Sequence, residues 1–395
     1  MMAVPLIIYY LIGSFLGYAM TNNPLYKMSS NAGIQEPSIS ATLFLIFCFF
    51  ILFYPILSQK SIKNITLPIN YKYFIFFSYC VIIISSLYIV LIFPHIFNAL
   101  NALDFVAYKE DVLESGLDLG HGSTFLNYLM SYQVAIRPII IFLFCMSLAI
   151  FKRHKKLTLV LGVMAFLPPI FNSLAAAHRN IMVFSAIDCL LCFLIFRKYY
   201  TKKIKLVFYT IGGIFAILTI FIVIYFAILR FSSEGNDFFF YTMERYMGEP
   251  FVNFNTMLWG EDNYLWGNKC FTIFRKYLGM SYIDPNTIRD YSYNMQYVPF
   301  FFYSIVGNFY MDFGPIGTSI LCIFICYLFY KLLSKKSIKQ SNSSILLVYL
   351  YTSTMIKNYY YFIYMGYNFM NLIMLALSFY LIHKYIFNLK RNVQI

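Results

Sequence analysis

Apolar residues in this chain come in long unbroken runs, and polar residues gather in the short stretches between them. The runs cover 3–20, 39–57, 73–93, 126–151, 157–176, 180–196, 206–228, 313–333, 343–363 and 367–386. Each is close to the roughly 20 residues that a helix needs to cross the hydrocarbon core of a bilayer. Backbone groups in lipid must be hydrogen-bonded within the protein, which leaves helices or a closed barrel. A barrel strand alternates apolar and polar side chains, and these runs do not alternate. The pattern predicts an all-α integral membrane protein with about ten transmembrane helices.

Charge then orients the helices. Of the 30 Lys and Arg residues, 19 fall in five stretches on one side of this arrangement: Lys60 to Lys72, Lys152 to Lys156, Arg197 to Lys205, Lys331 to Lys339 and Lys384 to Arg391. None of the 16 acidic residues lies in them. Basic residues on short loops mark the cytoplasmic side, so both termini are expected in the cytoplasm of a bacterial cell, with the chain in its cytoplasmic (inner) membrane. The net charge of +14 follows from this bias, and no nucleic-acid surface is inferred from it. The balance of 61% hydrophobic to 12% charged residues also exceeds what one soluble core could bury.

The chain is expected to be a single membrane domain, 1–395, with two loops on the external, periplasmic side. The smaller, 94–125, carries Asp104, Glu110, Asp111, Glu114 and Asp118 among apolar residues, a surface-helix pattern. The larger, 230–312, holds both tryptophans and ends in a short apolar stretch, 297–311, expected to be re-entrant or interfacial. The cytoplasmic stretches are too short for a nucleotide-binding module, and no G-x-x-x-x-G-K-[ST] occurs. The first run lacks a basic n-region and a small-residue cleavage site and is expected to be a retained helix. Seven of the eight cysteines lie in apolar runs, and only Cys270 is in the large loop, so a disulfide framework is excluded. Cys189 and Cys192 form a C-x-x-C inside a span, where buried thiols behave as small hydrophobes. No external D-x-D or His/Cys cluster has metal-ligand spacing, and no cofactor is expected.

Several residues could carry chemistry. Arg179, with His178 beside it, opens the sixth run after a break at Pro168 and Pro169. Arg230 and Arg245 lead into the large loop, Glu249 follows, and Arg289 lies further on. An arginine fork matches the paired oxygens of a diphosphate and stays charged. The structural alternatives are a snorkelling Arg179 and an Arg245–Glu249 pair one helical turn apart. Asp312 precedes Gly314 and Pro315, a position that suits a helix N-cap. Asp188 and Arg137 lie within apolar runs, where ionisable groups are costly and often functional. Trp259 and Trp266 could stack on sugar rings.

Together, His178 to Asn180 opening a span, Arg230 and Arg245 entering the large loop, and Asn308, Asp312, Gly314 and Gly317 closing it resemble the Wzy-type O-antigen polymerases. These are the oligosaccharide repeat-unit polymerases of bacterial surface polysaccharide synthesis. The resemblance covers the whole chain as architecture and implies a GT-C-like membrane glycosyltransferase of lipopolysaccharide biosynthesis. It implies an undecaprenyl-diphosphate-linked oligosaccharide as donor and a second as acceptor, and a chain-length regulator and a flippase as partners in the pathway. Arg179, Arg230, Arg245 and Arg289 would bind the diphosphate, and Glu249, Asp312 or His178 would accept the proton. Trp259 and Trp266 would hold sugars. The chain has no R-x10-G in its outer loops, so the catalytic arginines are not mapped by that motif. The competing expectations are a lipid-linked oligosaccharide flippase or transporter and an O-antigen ligase.

Overall fold

The computed structural model describes residues 3–21, 37–58, 69–101, 124–150, 155–175, 180–210, 212–213, 217, 221, 247–283, 303–335, 338, 341–360, 362–364 and 368–387. All regular structure among them is helical and includes α1 Ala3–Thr21, α2 Ile39–Leu57, α3 Tyr71–Asn101, α4 Thr124–Ile150, α5 Lys155–Ala175, α6 Asn180–Phe196, α7 Thr272–Tyr277, α8 Ser304–Ser334, α9 Ser343–Lys357 and α10 Phe369–Leu381, with further helical residues at 202–210 and 247–253. A π-helical turn, Phe254–Leu258, precedes α7, and another, Ile382–Phe387, extends α10. Among the described residues, seven helices are long and apolar enough to span a bilayer. They are α1 to α5, α8, and α10 with its extension; α6 is apolar but shorter. This is a multi-pass helical membrane protein.

Among the described residues the hydrophobic runs and the helices agree in most places and differ in three. Most of the run 206–228 lies outside the described residues. The run at 343–363 yields only the 15-residue helix α9, about 22 Å long. It is buried on nearly every face, as a helix apolar all round must be when protein rather than lipid surrounds it. α3 does not stop where the smaller loop was expected to begin; it runs through Pro94 to Asn101. Nor do Pro168 and Pro169 break the chain, since α5 continues through both. Each proline deprives the carbonyl four residues before it of a helical partner.

Packing groups the chain into two compact units, Met1–Ile65 with Phe226–Met370, and Thr66–Tyr225 with Asn371–Ile395. In the first, α2 lies along α8, and α1 lies along α9. The Tyr10 hydroxyl donates to the Met355 carbonyl at 2.7 Å, and that of Tyr351 to the Leu52 carbonyl at 2.6 Å. In the second, α3 packs most closely on α5, and α4 contacts α3, α5 and α6.

α8 is two helices joined at a kink. Gly314, at φ 64° and ψ −169°, interrupts the helix and Pro315 follows it. The apolar stretch before the kink, expected to be re-entrant or interfacial, is helical from Ser304 and buried from Ser304 to Asp312. Beyond the kink the same helix exposes Ile316, Ile320, Phe324 and Tyr327 in a row at helical spacing, the face a membrane helix turns to lipid.

Candidate functional site

The break at Gly314 creates a local debt of hydrogen bonds. Pro315 has no N–H to give the carbonyl four residues back, and the non-helical glycine misdirects the next donor. The carbonyls of Met311 and Asp312 would therefore be orphaned inside the fold, where such groups must find partners. The large loop supplies them: Leu265 N–H donates to Met311 O at 2.8 Å and Trp266 N–H to Asp312 O at 2.9 Å. The Asp312 carboxylate completes the join. Its Oδ1 accepts from the Lys269 amide at 2.9 Å and its Oδ2 from the Cys270 amide at 2.7 Å.

Asp312 is thus not the N-cap of the helix that follows it. It holds the 265–270 turn against the broken end of α8, and it is fully buried there. With one amide on each oxygen, it serves as a positioning residue. A second clamp reinforces the turn, since the Cys270 thiol donates to Asn308 O at 3.4 Å and Asn268 Nδ2 to Leu265 O at 2.7 Å. Burial pulls the Lys269 ammonium below the usual lysine range, partly offset by Cys270 and Asp312, and pushes the Cys270 thiol up. The close fit also explains Gly314: a Cβ there would lie 2.5 Å from the Tyr264 ring, in a backbone conformation that suits glycine alone.

The other predicted residues of the loop fall into place around this turn. Trp259 is part of the packing. Its ring lies 5.2 Å from that of Phe44, 5.9 Å from Phe254 and 5.6 Å from Tyr310, and its Nε1 donates to Ser40 Oγ at 3.0 Å. Trp266 is the reverse, 66% exposed on a backbone with φ 51°. Glu249 is half-buried in the helical segment before the π-turn and accepts from Asn253 Nδ2 at 3.4 Å. That segment reaches α1 through a glycine pair, where a Cβ on Gly248 would stand 2.5 Å from Gly17 Cα. The Tyr359 hydroxyl fixes its start by donating to Met247 O at 2.7 Å. His178, Arg179, Arg230, Arg245 and Arg289 lie outside the described residues.

A second polar centre lies within the helices of the other unit. Arg137 sits mid-way along α4, buried. Its guanidinium meets the Asp188 carboxylate of α6 at 4.0 Å and donates to Ile181 O at 3.4 Å. Beside it is a cavity of about 10 Å³ lined by Tyr88, Gln133, Arg137, Asn172 and the proline pair among others. That is about the room one water needs. The Tyr88 hydroxyl, Asn172 Oδ1 and Ser173 Oγ are buried with no hydrogen-bond partner among the described residues. Gln133 Nε2 donates to Ser85 Oγ at 3.0 Å.

Sequence inspection flags Arg137 and Asp188 separately but does not join them, and it passes over Tyr88, Gln133 and Asn172. The available signal was the polar pair Asn172 and Ser173 directly after two prolines in an apolar helix. Among the described residues no group of three or more His, Cys, Asp or Glu side chains is placed to hold a metal ion. Comparison with family models, curated proteins and solved structures finds no match to this chain.

Proposed function

We propose that this protein is a membrane glycosyltransferase of bacterial surface polysaccharide assembly, joining undecaprenyl-diphosphate-linked oligosaccharide units on the periplasmic face of the inner membrane. The observation that carries the reading is the seating of the large loop on α8. Four hydrogen bonds fix the 265–270 turn to Met311 and Asp312, so this part of the loop is tied down at the kink of a membrane helix. Functional groups on loops held by a rigid scaffold are a common way to build sites. The one-sided distribution of basic residues supports the orientation that makes this loop external.

In this reading an acceptor sugar hydroxyl attacks the anomeric carbon of the donor. The new C–O bond forms as the bond to the lipid diphosphate breaks, and the diphosphate departs with the electron pair. Arg179, Arg230, Arg245 and Arg289 stabilise its charge. The hydroxyl proton passes to a general base, for which Glu249 is the first candidate because its carboxylate is half-buried and beside the loop's entry; His178 is the second. Asp312 shapes the site through the turn it holds.

One observation favours a second reading, a transporter of lipid-linked oligosaccharide. The Arg137–Asp188 pair and its polar cavity lie inside membrane helices, where ionisable groups often mark a transport path. Deleting and restoring the gene and resolving the surface glycan by gel separates the two. Single repeat units at the surface after deletion, and a ladder on restoration, are the outcome of a polymerase. Lipid-linked units trapped inside the cell would instead establish the transporter.

A further inference from the structure

The chain between Trp266 and Tyr282 exposes an apolar face that no described residue covers. Trp266 is 66% exposed, Tyr277 78%, Leu278 72% and Met280 49%, with Phe274 and Tyr282 at 41% each. Contiguous apolar surface of this kind marks a contact with a protein or a membrane. The face is preformed. Arg275 Nε donates to Ser281 O at 2.8 Å and its Nη1 to Trp266 O at 2.5 Å, while Met280 N–H returns to Arg275 O at 2.9 Å. Trp266 is held from both sides, its N–H on Asp312 and its carbonyl on Arg275, in the left-handed conformation that points it out of the fold.

The contacts of this segment fix its depth. It is bonded to Met311 and Asp312, and the lipid-facing row of α8 begins at Ile316. Trp259, shortly before the segment in the chain, is bonded to Ser40, and the lipid-facing row of α2 begins at Ile39 and continues through Leu43, Ile46 and Phe50. Both rows end at a second aromatic level, where Tyr54 meets Tyr330 and Lys331 lies 5.5 Å from the Tyr327 ring. Between Ile39 and Tyr54 a helix rises about 23 Å, most of the roughly 30 Å of a hydrocarbon core. The exposed face therefore stands at a membrane–water boundary, the depth at which Trp and Tyr concentrate.

Its charge selects the occupant. Residues 266–283 contain three basic side chains, Lys269, Arg275 and Lys276, and no acidic one. Lys269 is buried and Arg275 closes the loop, while Lys276 lies on the exposed side with its Nζ 5.8 Å from the Tyr282 ring. We propose that residues 266–282 form an interfacial anchor in which Trp266, Tyr277 and Leu278 insert among the headgroups of the protein's own bilayer and Lys276 meets phosphate of anionic phospholipid. The anchor goes beyond the proposed activity and does not depend on it. It also assigns Trp266 to lipid and not to a sugar.

The chain has two tryptophans, so the W259F variant carries a single reporter at Trp266. The full-length variant is reconstituted into phosphatidylethanolamine–phosphatidylglycerol vesicles containing lipid brominated near the glycerol or deep in the chains. The Trp266 emission is expected to fall by about half with bromine near the glycerol, less with deep bromine, and little with aqueous acrylamide. Strong acrylamide quenching with no effect of brominated lipid would overturn the anchor. A second reporter, Tyr277→Trp in a W259F/W266F chain, gives the same reading from a position that is mostly exposed. For the phosphate contact, quenching should weaken when phosphatidylglycerol is replaced by neutral lipid, and this difference should disappear in K276Q. Equal quenching in both lipids before that substitution would remove Lys276 from the proposal.

Discussion

The two buried polar centres of this protein solve the same problem to different degrees. At the kink of α8, each oxygen of the Asp312 carboxylate has a backbone amide, and both carbonyls freed by the break have donors. Between α4 and α6, Arg137 and Asp188 meet at 4.0 Å beside a cavity, and three polar atoms on the surrounding helices have no hydrogen-bond partner among the described residues. A satisfied network fixes one backbone geometry. An incompletely satisfied one leaves room for a water or for a rearrangement, and buried unsatisfied groups are costly enough to require a reason. The first centre pins one backbone geometry, and the second leaves polar atoms with no partner among the described residues.

Removing one charge gives the widest separation between them. Arg137→Met leaves Asp188 buried without its opposite charge and should destabilise the protein by about 3–5 kcal/mol. Thermal unfolding in nanodiscs should show the loss, and the double variant Arg137→Met, Asp188→Leu should recover most of it. A double variant no better than the single would mean that the charges are not energetically paired. Asp312→Asn comes next. It keeps one acceptor but turns an NH₂ toward the other amide, for about 1–3 kcal/mol. Its signature is local: faster proteolysis within 260–283 and altered Trp266 emission in the W259F chain, before global unfolding.

Gly314→Ala sharpens the same side of the comparison. The backbone conformation alone costs about 1–3 kcal/mol, and the added methyl displaces Tyr264, so the turn should loosen in the same proteolysis assay with α8 still helical by circular dichroism. The smallest effect belongs to the cavity. Because the Tyr88 hydroxyl has no partner among the described residues, Tyr88→Phe should change stability by less than about 0.5 kcal/mol or raise it slightly. A clear loss would indicate that a bound water joins that hydroxyl to Asn172 or Arg137, and the second centre would then be nearer completion than the contrast implies.

Legibility in the sequence follows the range of the forces involved. Hydropathy over some 20 residues is local, so the membrane helices from Ala3 to Phe196 and from Ser304 to Phe387 could be located from the runs, with boundary errors at Pro94 and at the short helix α9. The special character of Asp312, Gly314 and Pro315 was also visible, but its meaning was not. An aspartate before a glycine and a proline reads locally as a cap; here its partners are 42 and 43 residues away. Trp259 and Trp266 looked equivalent as aromatic loop residues, and packing sets one ring, half-buried, against three aromatic neighbours and exposes the other.

The sequence by itself determined that this chain folds as membrane helices, because an apolar run long enough to cross lipid leaves its backbone no other way to satisfy its hydrogen bonds. It also marked Gly314 and Pro315 after Asp312, and costly charges at Arg137 and Asp188. Only the tertiary structure decided what answers them. The carbonyls freed by the break are claimed by amides of the large loop, and the arginine by an aspartate on another helix. Each unsatisfied group demands a partner, yet nothing local specifies which distant segment supplies it; that choice is made by the packing of whole helices.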